Sequence, residues 1–254
     1  MFPGLTVPKN NGERLLLRFE NVCDGGESFD FSSSNAECNK SAWLEALVSK
    51  ENASSDGMIL KLVSSDGAIF FIRSIYLKTL TFHDFLARIF LDSGEFFESE
   101  IEDIFFAAEA FFAEKSALKS LERSEQSRFL LLRKLISKGG SRSACETALD
   151  FLEKQGLLDD FRFSAAWIRS HSISKAQGRT RLIQELRARG ISKDIAEKAV
   201  TEHFENVDEI GECTRAAKMA KRRGKSGEKL LKYLVDAGFS YKMALAEVKN
   251  THDL

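Results

Sequence analysis

Arginine and lysine side chains crowd two stretches in the second half of the chain, where they could bind phosphate groups or an acidic protein surface. Residues 218–225 alone hold five cations, whereas capping a helix end would use only one or two. Such clusters predict contacts that do not depend on base sequence and that weaken with salt. The candidate partner- or DNA-binding residues are Arg123, Arg162, Arg169, Arg179, Arg181, Arg187, Arg189, Lys218, Lys221, Arg222, Arg223, Lys225 and Lys229.

The arginines near residue 180 cannot all face one partner. Residues two apart on a helix point about 200° away from each other, so Arg179 and Arg181 diverge, as do Arg187 and Arg189. Part of this group is therefore predicted to be ordinary solvated surface.

The net charge of −1 over 254 residues is an average of two opposite regions. Residues 1–114 hold 9 Lys+Arg and 19 Asp+Glu, a net of −10, whereas residues 115–254 hold 28 and 19, a net of +9. This asymmetry favours a polyanion or an acidic protein as the partner of the second region. Pairing between the two regions is the alternative explanation.

Residue types that support catalysis or metal binding lack the required spacing. Asp159 and Asp160 precede a predicted helix, where an N-cap and a favourable charge for the helix dipole explain them. The four cysteines form no Cys-x-x-Cys motif, and the four histidines share no ligand spacing with them. The sequence also lacks a signal peptide and an apolar run of about 18 residues. We therefore expect a cytoplasmic protein with no enzymatic activity, cofactor, metal or membrane contact.

The N-terminal third predicts a small β region. We expect a strand within Arg14–Val22, a short helix over Lys40–Val48, and a hairpin formed by residues 58–63 and 68–72 around Asp66-Gly67. Because a lone hairpin is marginally stable, it is expected to pair with the first strand.

Helices are predicted for the rest of the chain, which has no proline after Pro8. Apolar residues at helical spacing indicate helices over Thr81–Leu91 and Glu98–Leu121, and their phenylalanines, among them Phe111 and Phe112, are expected to lie in the core.

A unit of three helices repeats three times over about 50 residues. The second helix of each unit has a buried leucine four residues before a glycine, which ends the helix in a left-handed conformation, and a serine then caps the third helix. The second helices are predicted at Arg128–Gly139, Arg179–Gly190 and Glu228–Gly238, with caps at Ser141, Ser192 and Ser240. The first helices are predicted at Ala117–Glu125, Asp160–Ser170 and Asp208–Arg222. The third helices, Ser143–Lys154, Lys193–Phe204 and Tyr241–Asn250, carry the matching pairs Ala148/Phe151, Ala199/His203 and Ala244/Val248.

Several segments around these repeats resemble the RecX family of bacterial regulatory proteins, over residues 58–250. They are Arg123-Ser124-Glu125, Gly156-Leu157-Leu158-Asp159-Asp160 followed by Arg162-Phe163, Gly178-Arg179, and Gln184-Glu185-Leu186-Arg187-Ala188-Arg189-Gly190-Ile191. The resemblance implies tandem three-helix repeats that lie in the groove of the RecA–DNA filament. It also implies a non-enzymatic modulator that inhibits RecA ATP hydrolysis, strand exchange and co-protease activity, in DNA recombination, DNA repair and the SOS response.

The predicted fold is mainly α: a small N-terminal β-hairpin or sheet region precedes three tandem three-helix repeats in an elongated, curved array. The predicted parts are an N-terminal extension (1–57), a hairpin with an acidic connector (58–114), and repeats 1, 2 and 3 (115–158, 159–205 and 206–254). The expected partners are the RecA filament and single- or double-stranded DNA, bound by a monomer. The alternative is a helical-repeat DNA-binding protein unconnected with RecA.

Overall fold

The computed structural model describes residues 16–18, 43–48, 57, 59–64, 69–81, 84–85 and 98–250. The chain forms two compact units. Unit 1 comprises Met1–Lys119 and Lys134–Leu152, and unit 2 comprises Ser120–Arg133 and Glu153–Leu254. The fold is mainly helical with one small sheet, as the sequence predicts.

Four strands form the sheet of unit 1 in the order β1-β2-β3-β4: β1 (Leu16–Arg18), β2 (Trp43–Val48), β3 (Ile59–Ser64) and β4 (Ile69–Arg73). Strands β3 and β4 are antiparallel, which confirms the hairpin, and Leu62 lies opposite Phe70. The residues of its Asp-Gly turn lie outside the described part of the chain.

Two predictions for this region are wrong. Residues Trp43–Val48 form a strand instead of a helix, and β2 lies between the first strand and the hairpin. Strand β1 therefore pairs in parallel with β2 and not with the hairpin itself. A six-residue segment cannot sustain an isolated helix, and antiparallel pairing with β3 supplies its backbone with hydrogen-bond partners.

Polar contacts join the end of the sheet to the long helix α1 (Glu98–Leu121), which spans the predicted residues. The Arg73 guanidinium donates to Glu114, which is 1% exposed, and the Tyr76 hydroxyl donates to the same carboxylate at 2.8 Å. Burial, reinforced by Glu114, raises the pKa of Tyr76. Asp103 accepts backbone N–H groups of residues 78–80; burial alone would raise its pKa, but these hydrogen bonds lower it. These contacts hold α1 against the strand end.

The phenylalanines of α1 are only partly buried. Phe111 is in the core, as predicted, whereas Phe112 is 45% exposed, which corrects the prediction that both are core residues. The wrong assignment has a geometric reason: adjacent helical residues point about 100° apart, so both cannot face the same neighbour. Of the predicted helix Thr81–Leu91, the structure describes Asp84 and Phe85 as helical, and the remainder lies largely outside the described residues.

The helices that follow are short and regular. They are α2 (Arg128–Ser137), α3 (Arg142–Lys154), α4 (Asp160–Ser174), α5 (Arg179–Arg187), α6 (Lys193–Asn206), α7 (Glu209–Lys221), α8 (Gly227–Asp236) and α9 (Tyr241–Lys249). The second repeat consists of α4–α6 and the third of α7–α9, each around its own apolar cluster. The separate helix predicted at Ala117–Glu125 is absent, because α1 continues to Leu121 and a turn follows.

The second helices α2, α5 and α8 end as predicted, at glycines with positive φ: 95° at Gly139, 82° at Gly190 and 93° at Gly238. In each case the next residue donates its N–H to the carbonyl of the leucine four before the glycine, at 3.2–3.3 Å. These leucines are at most 3% exposed. The same C-terminal motif therefore terminates all three helices.

The predicted serine caps are confirmed. The side chains of Ser141, Ser192 and Ser240 each accept the N–H of the residue three positions later. The aligned buried pairs of the third helices are Cys145/Leu149, Ala196/Val200 and Ala244/Val248. Ala148 and Ala199 do match, both buried seven residues after their caps, but Phe151 and His203 do not share a position, and Ala244/Val248 aligns with the other pairs. The predicted matching of the three pairs is therefore wrong.

Candidate partner-binding surface

Most of the predicted arginines of the second repeat are paired with carboxylates of unit 2. Glu185 lies on α5 and accepts from Arg181 at 3.0 Å and from Arg189 at 3.1 Å. Arg179 pairs with Glu209 at 2.8 Å, and its guanidinium lies 4.7 Å from the centre of the Phe204 ring. Arg179 thereby links the second repeat to the third, whereas Arg181 and Arg189 pair locally with Glu185, so all three already have a partner within the chain.

The carboxylate of Glu185 is held in its ionised form by this arrangement. Burial alone would raise its pKa, but the hydrogen bond from Arg189 and the charge of Arg181 outweigh it and lower the pKa. Both arginines therefore keep a charged acceptor at neutral pH.

Arg162 is also committed within the protein. It pairs with Glu125 at 2.5 Å and donates to the carbonyl groups of Gly156 and Leu157 at 3.0 and 2.9 Å. The motif Gly156–Phe163 thus forms a connection between helices in which the arginine satisfies backbone acceptors. This role requires no external ligand.

Trp167 lies at the edge of the second-repeat core, half-buried. Its ring stacks on His171 with centroids 4.3 Å apart, and the Arg189 guanidinium lies 4.3 Å from the ring centre. Burial lowers the pKa of His171 despite a hydrogen bond with Gln177. The tryptophan therefore packs against its own chain.

The cations of the third repeat are arranged differently. Helix α7 buries Cys213, Ala216, Ala217 and Ala220 on one face, so Lys218, Lys221 and Arg222 lie on the exposed face. At the end of the helix, the carbonyl of Ala220 accepts the backbone N–H groups of Arg223 and Lys225. Gly224, between them, has a positive φ of 76°. Arg223 is exposed, and Lys225 lies over the Tyr233 ring at 4.5 Å.

Eight of the predicted contact residues are exposed and contact no carboxylate within the described chain. Five of them belong to the third repeat, where they cluster around the end of α7 and the start of α8. The eight are Arg123, Arg169, Arg187, Lys218, Lys221, Arg222, Arg223 and Lys229. The cluster in residues 218–229 is the strongest candidate binding surface in this part of the structure.

The acidic partners of the arginines escaped the sequence-based prediction. Glu185 is four residues from both Arg181 and Arg189, a spacing that favours pairing on one helix and could have revealed it. Glu125 and Glu209 are distant in sequence from the arginines they meet, so only the folded chain brings them together.

Other site types find no support in the described residues. These residues contain no group of three His, Cys, Asp or Glu side chains able to hold a metal ion. Burial raises the pKa of the Cys213 thiol to about 11, so this cysteine stays protonated. No described helix is long and apolar enough to span a membrane.

Comparisons with known proteins agree with the repeat architecture. A family model described as RecX, second three-helix domain, matches residues 159–200. The chain is 35% identical over 135 residues to the regulatory protein RecX of Treponema pallidum, covering 53% of this chain and 82% of that protein. It is 36% identical over 131 residues to regulatory protein RecX of Pelodictyon phaeoclathratiforme, covering 49% and 79%.

A solved structure has the same fold. The crystal structure of a regulatory protein RecX superposes with a TM-score of 0.58 at 19% sequence identity, covering 78% of this chain and 95% of that one. The fold defines a helical-repeat protein. The sequence identity is specific enough to assign the family: the chain belongs to the RecX family of regulatory proteins.

Proposed function

We propose that this protein binds the RecA–DNA filament and inhibits RecA ATP hydrolysis, strand exchange and co-protease activity, acting as a non-enzymatic monomer. Family membership supports a regulatory role. The observation that carries the binding step is the exposed cation cluster of the third repeat, which meets no carboxylate in the described chain: Lys218, Lys221, Arg222, Arg223 and Lys229. The binding region is assigned to repeats 2 and 3, residues 159–254.

The chemistry of this surface suits a filament made of protein and DNA. Lysine and arginine side chains on an exposed helix face can contact phosphate oxygens or carboxylates without reading a base sequence. Because such contacts release counterions, filament binding should weaken as salt rises.

The test adds the purified protein to RecA, single-stranded DNA and ATP and measures ATP hydrolysis. Inhibition is expected well below the protein concentration that saturates the DNA. Effects that emerge only at saturating coverage would favour the alternative, a DNA-binding repeat protein with no link to RecA. A protein that leaves hydrolysis unchanged at every concentration would refute the proposed inhibition.

A further inference from the structure

The repeats of unit 2 dock onto one another through the same two helix ends. At the first junction, the Ser127 hydroxyl before α2 donates to the carbonyl of Arg189 at 2.9 Å. Gly190 packs so closely on Phe129 that a Cβ atom added to it would collide with that side chain. At the second junction, the N–H of Gly178 before α5 donates to the carbonyl of Ala237 at 2.9 Å. In both cases the N-terminal turn of one second helix receives the C-terminal turn of the next.

Close backbone contact makes both junctions selective for glycine, which has no side chain to collide with the neighbouring repeat. Gly238 lies so close to the backbone of Arg181 that a Cβ atom would collide with its nitrogen, and Gly178 lies equally close to the Gly238 carbonyl. Gly178 is itself buried, as is Ser127. A helical turn ending in glycine is therefore the shape that this surface accepts.

The third repeat presents the same surface with no described residue docked on it. Ser226 aligns with Ser127 and Gly178, one residue before α8, yet it is exposed and its side chain caps no backbone N–H. In the described chain, the first-turn N–H groups of Gly227, Glu228 and Lys229 have no acceptor. A Cβ added to Gly227 would meet no atom within 4 Å other than those of its chain neighbours and its own helix backbone.

Charge identifies what this end would accept. At the first junction the loop before α2 carries Glu125, which pairs with Arg162 of the following repeat. The aligned loop of the third repeat carries Arg223 and Lys225 instead. An acidic segment complements these cations, whereas a second copy of the chain docking by the end of α2 would bring Lys138 against like charge.

We propose that Arg223, Lys225, Ser226, Gly227 and Lys229, the open repeat end, dock the C-terminal helical turn of an acidic protein segment. A terminal carbonyl of the partner accepts from Ser226 or from the first turn of α8, and its carboxylates pair with the flanking cations. The inference deepens the proposed function and rests on it for the partner, the RecA filament.

The main test uses Ser226→Trp, which blocks the docking position without changing charge. Because Ser226 is exposed and caps nothing, the fold should tolerate this change; the matched control is Thr201→Trp on the exposed surface of α6. Fluorescence anisotropy measures affinity for the RecA filament on single-stranded DNA and, separately, for the same DNA without RecA. We expect S226W to lose about tenfold in filament affinity, while DNA affinity and the control stay within about twofold of the parent protein.

A second measurement needs no RecA. The probe is a synthetic peptide with the sequence of residues 228–239 in which Lys229 and Lys232 are replaced by glutamate, an acidic version of the turn at the second junction. Added to the ¹⁵N-labelled full chain, it should shift amide resonances of residues 223–229 and leave those of α6 unchanged.

The outcomes separate the two proposals. If the parent protein does not bind the filament but the peptide shifts residues 223–229, the proposed function fails and the docking surface stands. If S226W binds the filament as tightly as the parent protein, the docking inference is overturned. It is also overturned if the parent protein does not bind the filament and the peptide shifts no resonances of residues 223–229. If S226W loses as much affinity for DNA alone as for the filament, the inference is also overturned, because the surface would then bind nucleic acid.

Discussion

The second and third repeats have nearly the same charge but differ in how many of their basic side chains pair with carboxylates. Residues 159–205 hold nine basic and seven acidic side chains, and residues 206–254 hold ten and seven. In the second repeat, Arg179, Arg181 and Arg189 pair with carboxylates of unit 2. In the third, Lys221, Arg222 and their exposed neighbours contact none within the described chain.

The difference shows that a count of basic residues does not locate a binding surface. A paired arginine must break an existing contact before it can bind a partner, whereas an exposed unpaired lysine need not. The contrast extends to the helix ends, because Gly178 is covered at a repeat junction and Ser226 is exposed.

The largest expected effect is on the free energy of unfolding. It should differ between a glycine in the occupied second junction and a glycine at the uncovered end of the third repeat. Gly238→Ala should lower the free energy of unfolding by about 3 kcal/mol, because the new Cβ meets the Arg181 backbone and φ is 93°. Gly224→Ala should cost about 1 kcal/mol, since φ is 76° but the surroundings are open. Urea unfolding followed by circular dichroism measures both, and equal costs would contradict a tightly packed junction.

A charge reversal tests the cation cluster directly. Lys221→Glu, Arg222→Glu and Arg223→Glu together should weaken filament or DNA binding by about 100-fold at low salt, with little loss of stability. Anisotropy titrations measure the affinity.

The control for this variant reverses Lys138, Arg142 and Lys154, three exposed cations outside the third repeat, for the same change in net charge. An affinity unchanged at low salt in the first variant would refute the proposed surface. Equal weakening by both variants would show that only net charge matters.

A smaller effect is expected from the paired arginine Arg179. Arg179→Ala removes the contacts with Glu209 and Phe204 and, because the side chain is 41% exposed, should cost about 1 kcal/mol of stability. Filament affinity should change little. Arg187→Ala, an exposed position with no described partner, is the control and should stay within about 0.5 kcal/mol in urea unfolding; the reverse ranking would contradict the division into paired and unpaired cations.

The smallest effect is a loss of second-repeat stability in mild acid. Burial lowers the pKa of His171 and of His203, so the unfolded chain takes up protons more readily. Stability is therefore complete above the ordinary histidine pKa of about 6.5 and decreases as pH falls toward the folded values.

Hydrogen exchange followed between pH 7.5 and 5.5 measures this loss, which should be greater for α4–α6 than for α7–α9, because residues 208–250 contain no histidine. The double variant His171→Gln/His203→Gln should reduce the difference between the repeats. A difference that persists undiminished would contradict the assignment to these histidines.

Local pattern alone determined the repeats. Leu186 and Leu234 four residues before Gly190 and Gly238, and serine caps two residues after each glycine, are short-range signals whose hydrogen bonds close within a few residues. The helix Glu98–Leu121 is equally local, because its apolar spacing continues for the full length.

Only the tertiary structure decided the strand Trp43–Val48 and the availability of each cation. A short apolar run suits either a helix or a strand, and the hydrogen bonds offered by β3 favour the strand. Likewise, Arg162 and Lys221 look alike in the sequence, but folding brings Glu125, 37 positions away, to Arg162 and no described carboxylate to Lys221. Charge is a property of the residue, whereas its availability depends on which side chains the fold places beside it.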